Sequence, residues 1–284
     1  MVLILINYQL DNEKMKKLHF KLVFLFSSII PMFKYFFLLV SCLLSAQTIT
    51  VTPIASIQAP YEVFWSMDAL NFFYCSNQND IHKISQEKKW VYTSNLGGKL
   101  TDIDAFNGLN IFLFYKNTNT VVVLDTQLNP IQTVTSNDWL LDWIKPASQS
   151  EFWFFDSLTQ KIGLYNLNKK AFRFLSNTMQ QKIKYTCSDY NKLYWINEEN
   201  ELNSIDKFGS IKYLGKVPLF DQISFDGSAN LIYSREGVLY SFNWKESKIE
   251  ALSVQEKRIK NFCFKEGILA IFTENQITNY QLKF

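Results

Sequence analysis

Residues 191–215 read NKLYWINEENELNSIDKFGSIKYLG. Three segments alternate with two polar turns in this stretch. KLYWIN (192–197) is aromatic and aliphatic, ELNSID (201–206) carries Leu202 and Ile205, and SIKYLG (210–215) carries Ile211, Tyr213 and Leu214. Short apolar runs separated by Glu, Asn, Asp and Gly clusters predict three antiparallel strands joined by tight turns.

The same pattern recurs along the chain. Runs comparable to KLYWIN are NFFYCS (71–76), NIFLFYK (110–116), EFWFFD (151–156), NLIYSR (230–235) and GILAIFT (267–273). Their starts are 39, 41, 41, 38 and 37 residues apart. Each run is followed by a polar turn and a second segment: DIHKIS (80–85), TVVVLD (120–125), KIGLYN (161–166), VLYSFN (238–243) and QITNYQ (276–281). A weaker segment usually follows that, such as KWVYT (89–93) or PIQTV (130–134). Alternating apolar residues precede each run, as in LTDIDAF (100–106) and DQISF (221–225). Asn107-Gly108, Asp226-Gly227, Glu236-Gly237 and Glu266-Gly267 sit between strands, where positive φ is needed.

Four short strands in about 40 residues, repeated, are the signature of a β-propeller blade. A lone blade cannot bury either face, and stacking blades in a ring buries both. The 16% aromatic content supplies flat side chains for the wedges between blades. Residues 47–284 divide into six such units, so the expectation is an all-β, six-bladed propeller of four-stranded blades. The sixth unit lacks an outer strand before the chain stops at Phe284. TITVTPI (48–54) is expected to supply it and close the ring. Glu246–Arg258 also fits helical spacing, but the repeat register assigns a strand there.

The unit at 191–215 resembles a blade of the YWTD-type six-bladed propellers of lipoprotein receptors. Leu193-Tyr194-Trp195 matches the core of that motif, and Ile205-Asp206 and Gly209-Ser210 stand as they do in that family. Asn197 replaces the family's aspartate. The resemblance covers one blade and implies an extracytoplasmic propeller of the broad YWTD/NHL type. It carries no function with it, because this fold hosts receptors, scaffolds, lactonases and binding proteins.

Residues 1–46 read differently. A basic cluster (Lys14, Lys16, Lys17) precedes two apolar stretches, and MFKYFFLLVSCLLSAQ (32–47) ends in Ser45-Ala46. This pattern predicts an export signal cleaved after Ala46, with Met15 or Met32 as alternative starts. The expected localisation is periplasmic or secreted. Leu39-Val40-Ser41-Cys42 resembles a lipobox, which would instead anchor the chain by lipid on Cys42. An uncleaved anchor is the third reading, and all three place residues 47–284 outside the cytoplasm. The chain's net charge of +3 belongs to this leader. Without its five lysines and two acids, 24 basic and 24 acidic groups balance. That balance argues against nucleic-acid binding. Cys75, Cys187 and Cys263 are widely spaced, each in an apolar run, and read as buried thiols; one bridge between two of them is the alternative.

Catalytic signatures are missing from the sequence. His82 is the single histidine after residue 46, and no GxSxG, P-loop or GxGxxG motif occurs. Asp102, Asp104 and Asp142, on inner-strand segments, are the candidate ligands for a calcium ion in a central channel, as in lactonase-type propellers. Their alternative role is to cap turns. The links between blades share one face with the turns after the aromatic runs. Trp139, with Asn137 and Asp138, and Phe220, with Asp221, are the candidate contact residues there. The alternative places Trp139 between blades. These features predict a monomeric, exported, non-catalytic propeller with no cofactor, binding a protein or cell-envelope component. The alternatives are a channel-metal hydrolase and a small-ligand or sugar-binding propeller.

Overall fold

The computed structural model describes residues 48–105 and 108–284; the leader, the signal-peptide reading, Cys42 and Asn107 lie outside the described residues. The chain enters through β1 (Thr48–Thr50) and β2 (Pro53–Gln58). Blade I follows as β3 (Val63–Met67), β4 (Phe73–Asn77), β5 (Asp80–Ile84) and β6 (Lys89–Thr93). Blade II is β7 (Asp102–Asp104), β8 (Ile111–Tyr115), β9 (Thr120–Leu124) and β10 (Pro130–Thr135). Blade III is β11 (Leu141–Ser148), β12 (Glu151–Asp156), β13 (Lys161–Asn166) and β14 (Ala171–Phe174). Blade IV is β15 (Ile183–Ser188), β16 (Lys192–Asn197), β17 (Glu201–Asp206) and β18 (Ile211–Lys216). Blade V is β19 (Gln222–Ser224), β20 (Asn230–Arg235), β21 (Val238–Asn243) and β22 (Lys248–Ser253). Blade VI is β23 (Asn261–Lys265), β24 (Ile268–Phe272) and β25 (Gln276–Gln281), with β2 as its outer strand. The fold is a six-bladed β-propeller. The stretch open to a helical reading is strand β22.

Ring closure differs in detail from the expectation. β2 pairs antiparallel with β25, with Ala55 opposite Asn279 and Ile57 opposite Ile277. β1 instead runs parallel to β22 as a fifth strand of blade V. The predicted single strand at 48–54 is therefore two strands that clasp two blades. Val51, buried in the wedge between blades V and VI, is where the chain crosses. Pro53, which has no N–H to donate, begins β2 at the rim, where it is tolerated.

Six apolar clusters fill the six wedges, and each joins side chains from two adjacent blades. One large second-strand residue recurs in them: Tyr74, Phe112, Trp153, Tyr194 and Ile232 in blades I to V. Close packing also fixes Gly163, because a Cβ there would stand 2.3 Å from the Phe154 ring.

Local hydrogen bonds explain the turns. Asp206 Oδ1 accepts from the backbone N–H groups of Phe208 and Ser210, and Gly209 takes φ +89°. The aspartate's pKa is lowered by the Ser210 bond first. Asn197 closes the β16–β17 turn: its Oδ1 accepts from Glu201 N at 2.8 Å, and its amide donates to Glu201 Oε2. Glu236-Gly237 and Glu266-Gly267 have positive φ at both positions, the signature of two-residue hairpin turns.

Candidate functional site

The inner strands of the blades line a central channel that encloses a cavity of about 230 Å³. Adjacent inner segments are stitched together around it. Asn261 Nδ2 donates to Phe64 O (2.7 Å), and Ser66 Oγ donates to Ile103 O (3.4 Å). Lys145 Nζ bridges blades III and II, at 2.7 Å from Asp102 Oδ2 and 3.4 Å from Asp104 Oδ2. Ser188 Oγ donates to Pro146 O, Phe225 N to Tyr185 Oη (3.0 Å), and Phe264 N to Ser224 Oγ (2.7 Å). Every neighbouring pair of blades thus carries at least one polar contact at the axis. Most of the partners lie about one repeat apart in sequence, so the stitches follow from the repeat itself.

Asp102 and Asp104 therefore reach the channel, as their inner-strand position suggested. An ammonium already stands beside both carboxylates, where a hard cation would sit. Asp142 is not with them; it pairs with Lys116 at the edge of blades II and III. Among the described residues no group of three His, Cys, Asp or Glu side chains could hold a metal ion. Burial by itself would lower the Lys145 pKa, but Asp102 and Asp104 outweigh it and hold the ammonium above its ordinary value. A raised folded-state pKa makes this contribution complete below about pH 10.5, and it is lost as pH rises through the higher folded value. Lys145→Met is expected to cost about 2–3 kcal/mol at neutral pH, because two half-buried carboxylates lose their partner. Urea midpoints measure this; a loss under about 0.5 kcal/mol would show that the ion pair is idle.

Cys187 and Cys263 also line the channel, and Cys75 lies in the wedge between blades VI and I. All three are free thiols. Burial pushes each one's pKa up, so none is poised as a thiolate nucleophile. His82 is buried against the Tyr61 ring, and its Nδ1 has no hydrogen-bond partner. Desolvation first, then Lys89, lowers its pKa and keeps it neutral.

On the link face the structure separates the candidate contacts. Trp139 is only 3% exposed; its ring packs 4.8 Å from Phe154, 5.2 Å from Tyr165 and 4.8 Å from Phe172. It is wedge filling between blades II and III and presents no ring to a partner. Asn119 holds this link by donating to Ser136 O and Trp139 O. Asn137 and Asp138 beside it are exposed. Phe220 is half-buried under the Lys184 ammonium, 4.5 Å from the ring centroid. Asp221 is exposed and accepts from Glu236 N at 2.8 Å.

Sequence reasoning passed over the exposed apolar residues of the outer strands. Phe208, in the β17–β18 turn, is 95% exposed, and Tyr213 and Ile211 on β18 are 60% and 47% exposed. Phe172 and Phe174 are partly exposed on β14 of blade III. The only signal in the sequence was an aromatic inside a DKFGS turn, where side chains are ordinarily polar.

No protein-family profile and no curated sequence matches the chain. Solved structures do. Virginiamycin B lyase from Staphylococcus aureus aligns with a TM-score of 0.53 and 14% identity, over 76% of this chain and 79% of that one. A nidogen/laminin complex aligns at 0.54 and 11%, over 71% and 85%. A mitotic checkpoint complex aligns at 0.58 and 8%, over 82% and 92%. The likeness is one of fold. At these identities the propeller is what the proteins share, and a lyase and members of protein assemblies stand side by side among its bearers. Among the described residues no helix is long and apolar enough to cross a membrane.

Proposed function

We propose that this chain is an exported propeller that binds a partner protein of the cell envelope through the outer hairpin of blade IV. The observation that carries the reading is the Phe208–Ile211–Tyr213 group. Three large apolar side chains on one hairpin face solvent, and a wholly exposed phenylalanine adds nothing to the fold. Apolar and aromatic residues in such a position anchor interfaces. This hairpin lies at the end of the ring opposite the interblade links, because β17–β18 turns and links alternate ends in an antiparallel blade. Two fold neighbours occur in protein complexes, which is in keeping with an assembly role. Export rests on the leader pattern of residues 1–46, a basic cluster and apolar stretches that end in Ser45-Ala46. The channel-metal hydrolase reading would need a ligand set, and among the described residues no group of three His, Cys, Asp or Glu side chains could hold a metal ion.

The test is site-specific photocrosslinking in the native envelope. A benzophenone side chain at position 208 is expected to give one discrete adduct. The same group at Val238, exposed on blade V, is expected to give none. No adduct from position 208, or equal adducts from both positions, would overturn the proposal.

A further inference from the structure

The wedge between blades VI and I is built differently from the other five. Where blades I to V place Tyr74, Phe112, Trp153, Tyr194 and Ile232, blade VI places Ala270. The register fixes the equivalence. Each of these second-strand residues pairs with a third-strand neighbour two or three ladder pairs from the hairpin end, and Ala270 pairs with Asn279. Ala270 belongs to the apolar cluster of that wedge, as its counterparts belong to theirs.

A hollow of about 410 Å³ lies in the same wedge, toward the rim. Ala55 and Ile57 of β2 and Ile277 and Asn279 of β25 form one wall, Leu70 and Phe72 of blade I form the other, and Ser56, Ser85 and Gln86 make part of the lining polar. Asn279 is 6% exposed, and its Oδ1 is buried with no hydrogen-bond partner. An orphaned buried acceptor costs stability. Asn279 lines the hollow, and half a turn about its soft Cβ–Cγ bond exchanges the buried oxygen with the amide nitrogen. The charged residues at its mouth, Glu87 and Lys88, are exposed and of opposite sign, so the interior favours no net charge.

We infer that this wedge is a binding site for a small neutral organic molecule with a flat apolar body and one N–H or O–H donor, which Asn279 accepts. The volume falls within the range of small-molecule sites, and a few placed polar groups among apolar walls are how such sites fix orientation. The site is separate from the blade IV hairpin and does not depend on the protein-binding reading.

Indole and benzofuran make the probe pair, since they share a shape and only indole donates a hydrogen bond. Isothermal titration on the folded domain is expected to show indole binding, with benzofuran weaker by about tenfold or more. Ala55→Phe, which fills the hollow from a partly exposed rim position, is expected to abolish indole binding and leave the fold intact. Asn279→Leu is expected to erase the preference for indole and raise the melting temperature by removing the orphan acceptor. Three results overturn the inference: no indole binding up to its solubility limit, equal affinity for the two probes, or unchanged indole binding in Ala55→Phe.

Discussion

Removing residues 48–58 is expected to lower the melting temperature by about 10–20 °C, which corresponds to about 5 kcal/mol in a domain of this size. β2 is the outer strand of blade VI. Its loss breaks the Pro53–Gln58 ladder with β25 and uncovers Ile277 and Tyr280, both buried in the intact ring. It also leaves blade VI as a three-stranded sheet with an open edge, and the first and last blades lose the strand that spans the chain ends. Deleting only 48–50 removes the short parallel strand on blade V and leaves Val51 and β2 in place. That deletion is expected to cost about 1 kcal/mol, or about 2–4 °C. Calorimetric melts of the two deletions separate the clasp on blade V from the closure of blade VI. Equal, small losses for both would show that the ring does not rely on β2.

Trp139→Ala is expected to destabilise the protein by about 3–5 kcal/mol, the usual cost of emptying a large buried site. The ring touches Phe154, Tyr165 and Phe172 across the wedge between blades II and III, and Phe154 lies directly over Gly163. No neighbour is free to collapse into the space. Trp139→Phe is expected to recover most of the loss, since the indole N–H has no partner to lose. Phe208→Ser, by contrast, is expected to fall within about 0.5 kcal/mol of the parent, as exposed substitutions do. Urea midpoints for the three variants are the measurement. A Trp139→Ala loss below about 1 kcal/mol would return Trp139 to the surface.

The blade assignment was legible because it rests on local physics. Period-two alternation in TVVVLD or ELNSID, and Gly or Asx residues between runs, are decided within a few residues, and the repeat multiplies the signal six times. Closure by the N-terminus was legible too, since blade VI visibly lacked a strand. Its register was not. Whether 48–50 or 53–58 pairs with blade VI depends on where the rim of blade V ends, and that is set by packing some 200 residues away.

The candidate site was legible in part. Asp102 and Asp104 were placed at the channel by their inner-strand position, but Lys145 comes from a repeat later and its arrival between them is a property of the assembled ring. Trp139 looks like a surface aromatic in a polar link, and only the curvature of that link turns it inward. Asn279 reads as an ordinary strand residue until the register sets it beside a hollow between blades VI and I with its Oδ1 orphaned. The sequence by itself determined the strands, their grouping into six blades and the neutrality of the domain, because those depend on short-range pattern and composition. The tertiary structure decided which side chains meet at the axis, which aromatics remain outside and where a hollow is left, because those depend on how blades forty residues apart are tilted against one another.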